Sequence, residues 1–83
     1  MTTTQFRKIL ESELKDFIEN SNWVLTYPEG RFETNKFESL FETYIGKKYI
    51  KIEIHRMLSK LGYSCFLENE KHYYKGLIPI DKL

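Results

Sequence analysis

The sequence predicts a small α+β domain of the winged helix-turn-helix class, with three helices and a small antiparallel sheet that is either a β-hairpin or three strands. A basic segment with apolar residues at helical spacing starts at Ile50 and ends at Gly62. Two short aromatic strands follow it, joined by Asn69-Glu70-Lys71. A helix followed by a hairpin is the second half of a winged helix, in which both elements contact nucleic acid. We therefore predict one binding domain over residues 1–83.

The chain is short and rich in aromatic residues. Its 83 residues include six Phe, six Tyr and one Trp, so large side chains must fill a small core. The single cysteine, Cys65, excludes an internal disulfide. The sequence has neither a run of about 18 apolar residues nor a charged-then-apolar leader. We therefore expect a soluble cytoplasmic protein without membrane contact.

Apolar spacing predicts a first helix that begins at the threonines of positions 2–4 and stops at Asn20-Ser21-Asn22. Threonine hydroxyls suit helix N-caps, and short polar side chains favour helix ends. A short strand is expected at Trp23–Tyr27, ended by a turn at Pro28-Glu29-Gly30. The apolar stripe of the first helix comprises Phe6, Ile9, Leu10, Leu14, Phe17 and Ile18.

A second helix is predicted between a cap at Thr34 or Asn35 and an end at Gly46. Glycine reaches the left-handed conformation that ends a helix without a steric penalty. The apolar face of this helix carries Phe37, Leu40, Phe41, Tyr44 and Ile45, and its outward face carries Lys36, Glu38, Ser39 and Glu42.

The third helix has two interpretations. Residues 49–54 alternate polar and apolar side chains, which is typical of a strand, but a longer helical period continues to Leu61, and its length favours a helix. The apolar positions of that period are Ile50, Ile54, Met57, Leu58 and Leu61. We expect Lys51, His55 and Ser59 on the outward face, with Ile52 and Arg56 at its margin.

Strands are predicted at Tyr63–Leu67 and Tyr73–Ile80, with a bulge at Gly76 and either an edge position or a strand end at Pro79. Alternation in the first of them predicts one buried face with Tyr63, Cys65 and Leu67, and Tyr74, Leu77, Ile78 and Ile80 supply the return strand.

Charge is divided unequally along the chain. Residues 1–46 carry five basic and eight acidic side chains, a net charge of −3, whereas residues 47–83 carry eight basic and four acidic ones, a net charge of +4. The basic half contains the third helix and the hairpin, which favours a polyanionic partner there. The predicted nucleic-acid-binding residues are Lys47, Lys48, Lys51, His55, Arg56, Ser59, Lys60, Lys71, His72, Tyr73 and Lys75.

The strand form of the nucleic acid stays open. Lysines contact the phosphates of a duplex, but exposed rings at Tyr49, Tyr63 or Tyr73 would stack on unpaired bases of single-stranded DNA. The alternative for these tyrosines is a place in the core or at its rim.

The residues argue against an enzyme. His55 and His72 lie on different predicted elements without ligands at metal-binding spacing, and Cys65 sits in an apolar strand pattern. The four glycines are scattered, so no phosphate-binding loop is expected. We predict no catalytic residues, no metal site and no cofactor.

The second half of the chain also resembles a known module. Three groups of residues carry the resemblance: Phe37, Phe41, Tyr44 and Ile45; Ile54, Leu58 and Leu61-Gly62-Tyr63; and Tyr74-Lys75-Gly76-Leu77 with Ile80. Their spacing is similar to that of the C-terminal winged-helix module of the poxvirus D5 and phage P4 type primase-helicases. That resemblance covers about half of the chain and implies DNA binding in the replication of a virus or mobile genetic element. The chain departs from the family in lacking the helicase ATPase, in its short Gly46-Lys47-Lys48 link and in its first helix.

Two functions are therefore expected in order of preference. The first is a non-catalytic DNA-binding accessory protein that acts beside a separately encoded primase, polymerase or helicase. The alternative is a winged-helix adaptor that binds a replication or regulatory protein without contacting DNA, using the acidic first half to dock a basic partner.

Overall fold

Residues 2–80, the part of the chain that the computed structural model describes, form three helices and three strands. The strands form one antiparallel sheet in the order β1-β3-β2. This arrangement confirms the predicted α+β class and is compatible with a winged helix. The elements are α1 (Thr3–Asn20), β1 (Val24–Glu33), α2 (Thr34–Ile45), α3 (Lys51–Lys60), β2 (Cys65–Glu68) and β3 (Lys71–Pro79).

Helix α1 begins with a capping box, as the threonine-rich start predicted. The Thr2 hydroxyl accepts the backbone N–H of Gln5 at 3.2 Å, and the Gln5 side chain accepts the backbone N–H of Thr2 at 3.0 Å. Most of the predicted stripe is buried, but Ile9 is 37% exposed and Phe6 is only partly buried. The outer edge of the stripe therefore faces solvent.

Helix α2 starts one residue earlier than a cap at Thr34 would allow and two earlier than a cap at Asn35 would allow. Thr34 is already helical, and Glu33 stands at the N-cap position without a side-chain hydrogen bond. The predicted end is confirmed: Gly46 adopts φ +74°, and its N–H donates to the Glu42 carbonyl at 2.9 Å. The predicted faces need one correction, because Glu38 is buried rather than outward.

The segment that the sequence allowed as either a strand or a helix is a helix, α3. Ile54, Met57 and Leu58 enter the core. The prediction for Ile50 was wrong: it is 70% exposed, because it precedes the helix in an extended conformation and its side chain does not join the helical stripe.

Strand β1 does not end at the predicted turn. Thr26 pairs with Leu77 and Arg31 pairs with Lys75, so residues 27–30 lie opposite the single residue Gly76. The Pro-Glu-Gly segment is therefore a bulge inside a longer strand, because pairing resumes beyond it.

Two glycines make this bulge possible. A Cβ on Gly30 would lie 2.3 Å from the Ile78 Cγ2 atom, so no side chain fits there. Gly76, the single residue opposite the bulge, adopts φ +94°, which glycine reaches without a steric penalty. The irregularity predicted at Gly76 is present, but its extra residues belong to β1.

The hairpin is tighter than predicted. Only Asn69 and Glu70 connect β2 to β3, with φ values of +52° and +67°, and Lys71 is already the first residue of β3. Strand β2 begins at Cys65 rather than Tyr63, and Leu67, predicted to be buried, is 62% exposed. Of the two roles predicted for Pro79, the structure shows the strand end, so β3 stops one residue before the predicted Ile80.

The core fills the space between the helices and one face of the sheet. Phe17 lies at its centre, with ring centroids 5.2 Å from Phe37, 5.6 Å from Phe41 and 5.4 Å from Tyr44. Edge-to-face and tilted pairs of this kind add to the free energy of burial. The fully buried large side chains are Leu10, Leu14, Phe17, Val24, Phe32, Phe37, Phe41, Ile54, Leu58, Tyr74 and Leu77.

Candidate nucleic-acid interface

The predicted cations of the α3 region are mostly matched by carboxylates. The partners come from three helices, so the acidic first half of the chain folds onto the basic second half. This arrangement lowers the local positive charge that a polyanion would meet. The nitrogen-to-oxygen distances are 3.1 Å for Lys47 and Glu13, 3.8 Å for Lys51 and Glu38, 3.7 Å for Arg56 and Glu53, and 3.8 Å for Lys60 and Glu11.

These ion pairs lie at the surface. The basic side chains are exposed by 48% in Lys47, 55% in Lys51, 66% in Arg56 and 71% in Lys60. Exposed pairs are weak because water and salt screen them. The cations can therefore exchange a carboxylate for a phosphate at little cost in free energy.

Tyr49, one of the predicted stacking rings, is engaged at the rim of the core. Its hydroxyl donates to Glu13, and its ring stacks on Phe41 with centroids 6.0 Å apart. Burial, together with the bond to Glu13, raises the pKa of Tyr49. The Lys47 ammonium lies 5.3 Å above the same ring, and its hydrogen bond to Glu13 raises the pKa of Lys47. Tyr49 is thus a packing residue rather than an open platform.

His55 points into the domain, contrary to its predicted outward position. Its Nε2 atom lies 3.0 Å from Glu38 Oε2, and its ring meets the Tyr74 ring edge-to-face with centroids 5.3 Å apart. The histidine side chain is only 25% exposed. It therefore holds α3 against α2 and β3 instead of reaching a ligand.

Glu38 is the residue at the centre of this polar cluster. The Tyr74 hydroxyl donates to Glu38 Oε2 at 2.9 Å, so one oxygen contacts both the tyrosine and His55. Lys51 approaches the other oxygen and donates to the Asn35 side chain at 2.6 Å. Burial, reinforced by the Glu38 carboxylate, raises the pKa of Tyr74 far above its ordinary value. No buried side-chain polar atom in the described chain lacks a hydrogen-bond partner.

The hairpin residues of the predicted site divide between two faces of the sheet. Side chains alternate along a strand, so His72 shares the helix-facing side with buried Tyr74, while Lys71, Tyr73 and Lys75 point to the other side. His72 Nδ1 lies 3.9 Å from the Cys65 sulfur. The eleven predicted nucleic-acid-binding residues therefore do not all lie on one surface of the domain.

The outer face of the sheet carries an aromatic and basic cluster of its own. The Tyr73 and Phe66 rings stack with centroids 5.6 Å apart, and the Arg31 guanidinium lies 4.9 Å from the Tyr73 centroid. Arg31 Nη1 is 2.5 Å from Glu68 Oε2, and this hydrogen bond raises the pKa of Arg31. An open groove of about 800 Å³ runs beside Tyr73 and the β1 bulge. Sequence reasoning missed Arg31 because it lay beyond the predicted end of β1.

Three predicted lysines keep their charge uncompensated. Lys48, Lys71 and Lys75 are exposed and make no ion pair within residues 2–80. Lys71 follows the hairpin turn and Lys75 borders a second outer-face groove with Phe66. Ser59 is exposed on α3, and its carbonyl accepts the Gly62 N–H at 3.1 Å. Free cations are thus found both before α3 and on the hairpin.

Other functional classes find little support in the described residues. They contain no group of three His, Cys, Asp or Glu side chains placed to hold a metal ion. No described helix has the length and apolar character needed to cross a bilayer. Burial raises the pKa of the Cys65 thiol, which opposes the thiolate that a nucleophile requires.

Comparison of the chain with protein-family models, curated proteins and solved structures found no match. The resemblance to the primase-helicase module therefore stays a prediction that rests on the spacing of core residues.

Proposed function

We propose that the chain is a winged-helix protein that binds DNA without catalysing a reaction. The observation that supports this function best is the order α1-β1-α2-α3-β2-β3 with the sheet order β1-β3-β2. A winged helix uses this order to place its third helix and its hairpin beside each other at one end of the domain. The uncompensated lysines and the weakly paired cations then belong to the two elements that meet DNA.

The electrostatics favour modest affinity with a strong dependence on salt. Arg56 and Lys60 have the most exposed side chains among the paired cations, and each would leave a carboxylate about 3.7–3.8 Å away to reach a phosphate. Competing carboxylates weaken binding, but released counterions still make it salt-dependent. Removing the side chain that binds one phosphate should lower the slope of log affinity against log salt by about 0.9 for duplex DNA.

The family resemblance implies an accessory role in the replication of a virus or mobile genetic element. We propose that the protein performs this role in the cytoplasm. Its partners there are DNA, single-stranded or duplex, and a separately encoded primase, polymerase or helicase.

Fluorescence polarisation of labelled single-stranded, duplex and forked oligonucleotides tests DNA binding. We expect binding at about 50 mM salt that weakens at least tenfold at about 200 mM. The double variant Arg56→Gln/Lys60→Gln should weaken binding about tenfold or more. Glutamine keeps the aliphatic part of each side chain, so the fold should persist.

The matched control is Arg7→Gln/Lys8→Gln, which removes the same charge from exposed α1 positions that make no ion pair within the described chain. This control should change affinity less than threefold. Equal weakening in both double variants would mean that net charge alone is being measured. Absence of binding to all three oligonucleotides would overturn the proposal and favour the adaptor.

A further inference from the structure

An apolar groove lies at the start of α3, and DNA binding accounts for the lysines at its rim but not for its apolar floor. It lies between α1 and the link from α2 to α3, has a volume of about 270 Å³, and is lined mainly by carbon. Ile50, at its edge, is 70% exposed, and Ile9 is 37% exposed. Single exposed apolar residues are ordinary, but neighbouring ones that border a groove mark a binding surface. The residues that line the groove are Phe6, Ile9, Lys47, Lys48, Tyr49 and Ile50.

The rim of this groove is positively charged. Lys47 and Lys48 border it directly, and Lys51 follows one residue after Ile50. Lys48 has no carboxylate partner in the described part of the chain, whereas Lys47 lies 3.1 Å from Glu13. Ile52, two residues beyond Ile50 in the chain, is also 50% exposed. An apolar floor with a cationic rim selects a ligand that is apolar on one side and acidic on the other.

We propose that this groove docks an acidic amphipathic helix of another protein. Apolar side chains of that helix, one turn apart, would pack against Phe6, Ile9 and Ile50, while its carboxylates would face Lys47 and Lys48. The small volume accommodates one or two large side chains, so affinity in the micromolar range is expected.

Two other occupants fit less well. A second copy of the chain, bound symmetrically, would bring Lys48 near its own equivalent, and like charges oppose that contact. Nucleic acid would satisfy the lysines but would leave Ile50 and Ile9 uncovered. Of these three ligands, only the acidic amphipathic helix would both pair with the lysines of the rim and cover the apolar side chains of the floor.

The test is an NMR titration of the full chain with a designed helical peptide. The peptide carries Leu at positions i, i+3, i+4 and i+7 and Glu elsewhere, and a scrambled peptide of the same composition has no apolar face. Amide shifts should be confined to residues 6–9 and 47–52 for the first peptide. The scrambled peptide should bind at least fivefold more weakly.

Two variants distinguish binding in the groove from nonspecific hydrophobic binding. Ile50→Ser should weaken peptide binding at least fivefold. Leu67→Ser removes an apolar side chain that is 62% exposed on the hairpin and should leave peptide binding unchanged. Equal binding of both peptides, or equal weakening in both variants, would overturn the proposal. Shifts in the same residues on raising protein concentration alone would indicate self-association and would also overturn it.

This docking proposal stands independently of DNA binding. Arg56→Gln/Lys60→Gln should leave the peptide affinity intact, and Ile50→Ser should leave the oligonucleotide affinity intact. An experiment that overturns DNA binding therefore does not overturn peptide docking, and the reverse is also true.

Discussion

At the scale of single residues, the domain is organised around one buried carboxylate. Glu38 is 7% exposed and lies within hydrogen-bond distance of Tyr74 and His55. Burying a carboxylate is unfavourable unless hydrogen bonds and opposite charge replace water. Glu38 meets that requirement by joining α2 to β3 and α3, which fixes the position of the helix predicted to meet DNA.

Removing this carboxylate should destabilise the fold. In Glu38→Ala, the buried Tyr74 hydroxyl and the partly exposed His55 ring lose their acceptor, which should lower the free energy of unfolding by about 2–3 kcal/mol. Glu38→Gln keeps an acceptor oxygen and should lower it less, by about 1 kcal/mol. Urea unfolding followed by circular dichroism measures both values.

Glu42→Ala is the control for that measurement. Glu42 lies one helical turn beyond Glu38, and its side chain makes no hydrogen bond or ion pair with another described residue. Glu42→Ala should lower the free energy of unfolding by less than about 0.5 kcal/mol, as substitutions at the surface generally do. If Glu42→Ala and Glu38→Ala destabilised the protein equally, the polar cluster would have no special role.

The burial of Glu38 could not be predicted from the sequence, for a physical reason. Helical spacing places it beside Phe37, between the core side and the solvent side of α2, and an acidic residue at such a position normally turns outward. The partners that reverse this preference, Tyr74 and His55, are 36 and 17 residues away. Contacts with Glu38 and Tyr74 likewise turn His55 inward and remove it from the predicted site.

At the scale of elements, the hairpin turn contains a strained residue. Asn69 tolerates a positive φ, but Glu70 at φ +67° does not do so readily, and two-residue hairpin turns of this kind favour glycine at the second position. The hairpin therefore forms with some strain in its backbone. Its conformation is held by pairing of β2 with β3 on either side.

Glu70→Gly should relieve this strain. We expect the free energy of unfolding to rise by about 1 kcal/mol, since glycine adopts positive φ without a Cβ clash. Glu70→Ala removes the same charge but keeps the Cβ, so it should bring no such increase. Thermal unfolding of the two variants under one buffer distinguishes the backbone effect from the charge effect. A similar rise in both variants would assign the increase to charge.

Elements with strong local signals were predicted well, and those that depend on pairing were not. The cap at Thr2, the end at Gly46 and the helical character of α3 follow from local chemistry and spacing. The extension of β1 past Gly30 depends on β3, which supplies the partner for Arg31 more than 40 residues later in the chain. No local pattern reveals such pairing.

At the scale of the whole molecule, the core is one continuous set of contacting rings. Phe17 on α1 touches rings of α2, and Phe37 touches Tyr74 of β3 with centroids 5.3 Å apart. Trp23, between α1 and β1, contacts Phe17 and Tyr44. A small domain with a single core unfolds in one step.

Two probes should therefore report the same transition. Fluorescence of Trp23, the only tryptophan, senses the junction of α1 and β1, whereas far-ultraviolet circular dichroism senses all three helices. The urea midpoints from the two signals should agree within error. Separate midpoints would show that α1 and the sheet unfold independently of the rest.

Charge across the molecule shows where the sequence is informative and where it is not. The charge count along the chain shows a basic second half, but it could not show that Glu11, Glu13 and Glu38 would face three of its lysines. Residues from the acidic half reach those lysines only through tertiary packing. The net positive charge that a phosphate meets there is consequently smaller than a count along the chain suggests.

The bulge in β1 also bears on how the protein behaves at high concentration. Strands β1 and β2 are the two outer edges of the sheet, and an unbroken edge can recruit strands of other molecules into fibrils. Pro28 has no N–H to offer, residues 27–30 leave the regular ladder, and β2 is only four residues long. Neither border presents the long, flat row of donors and acceptors from which amyloid growth could start.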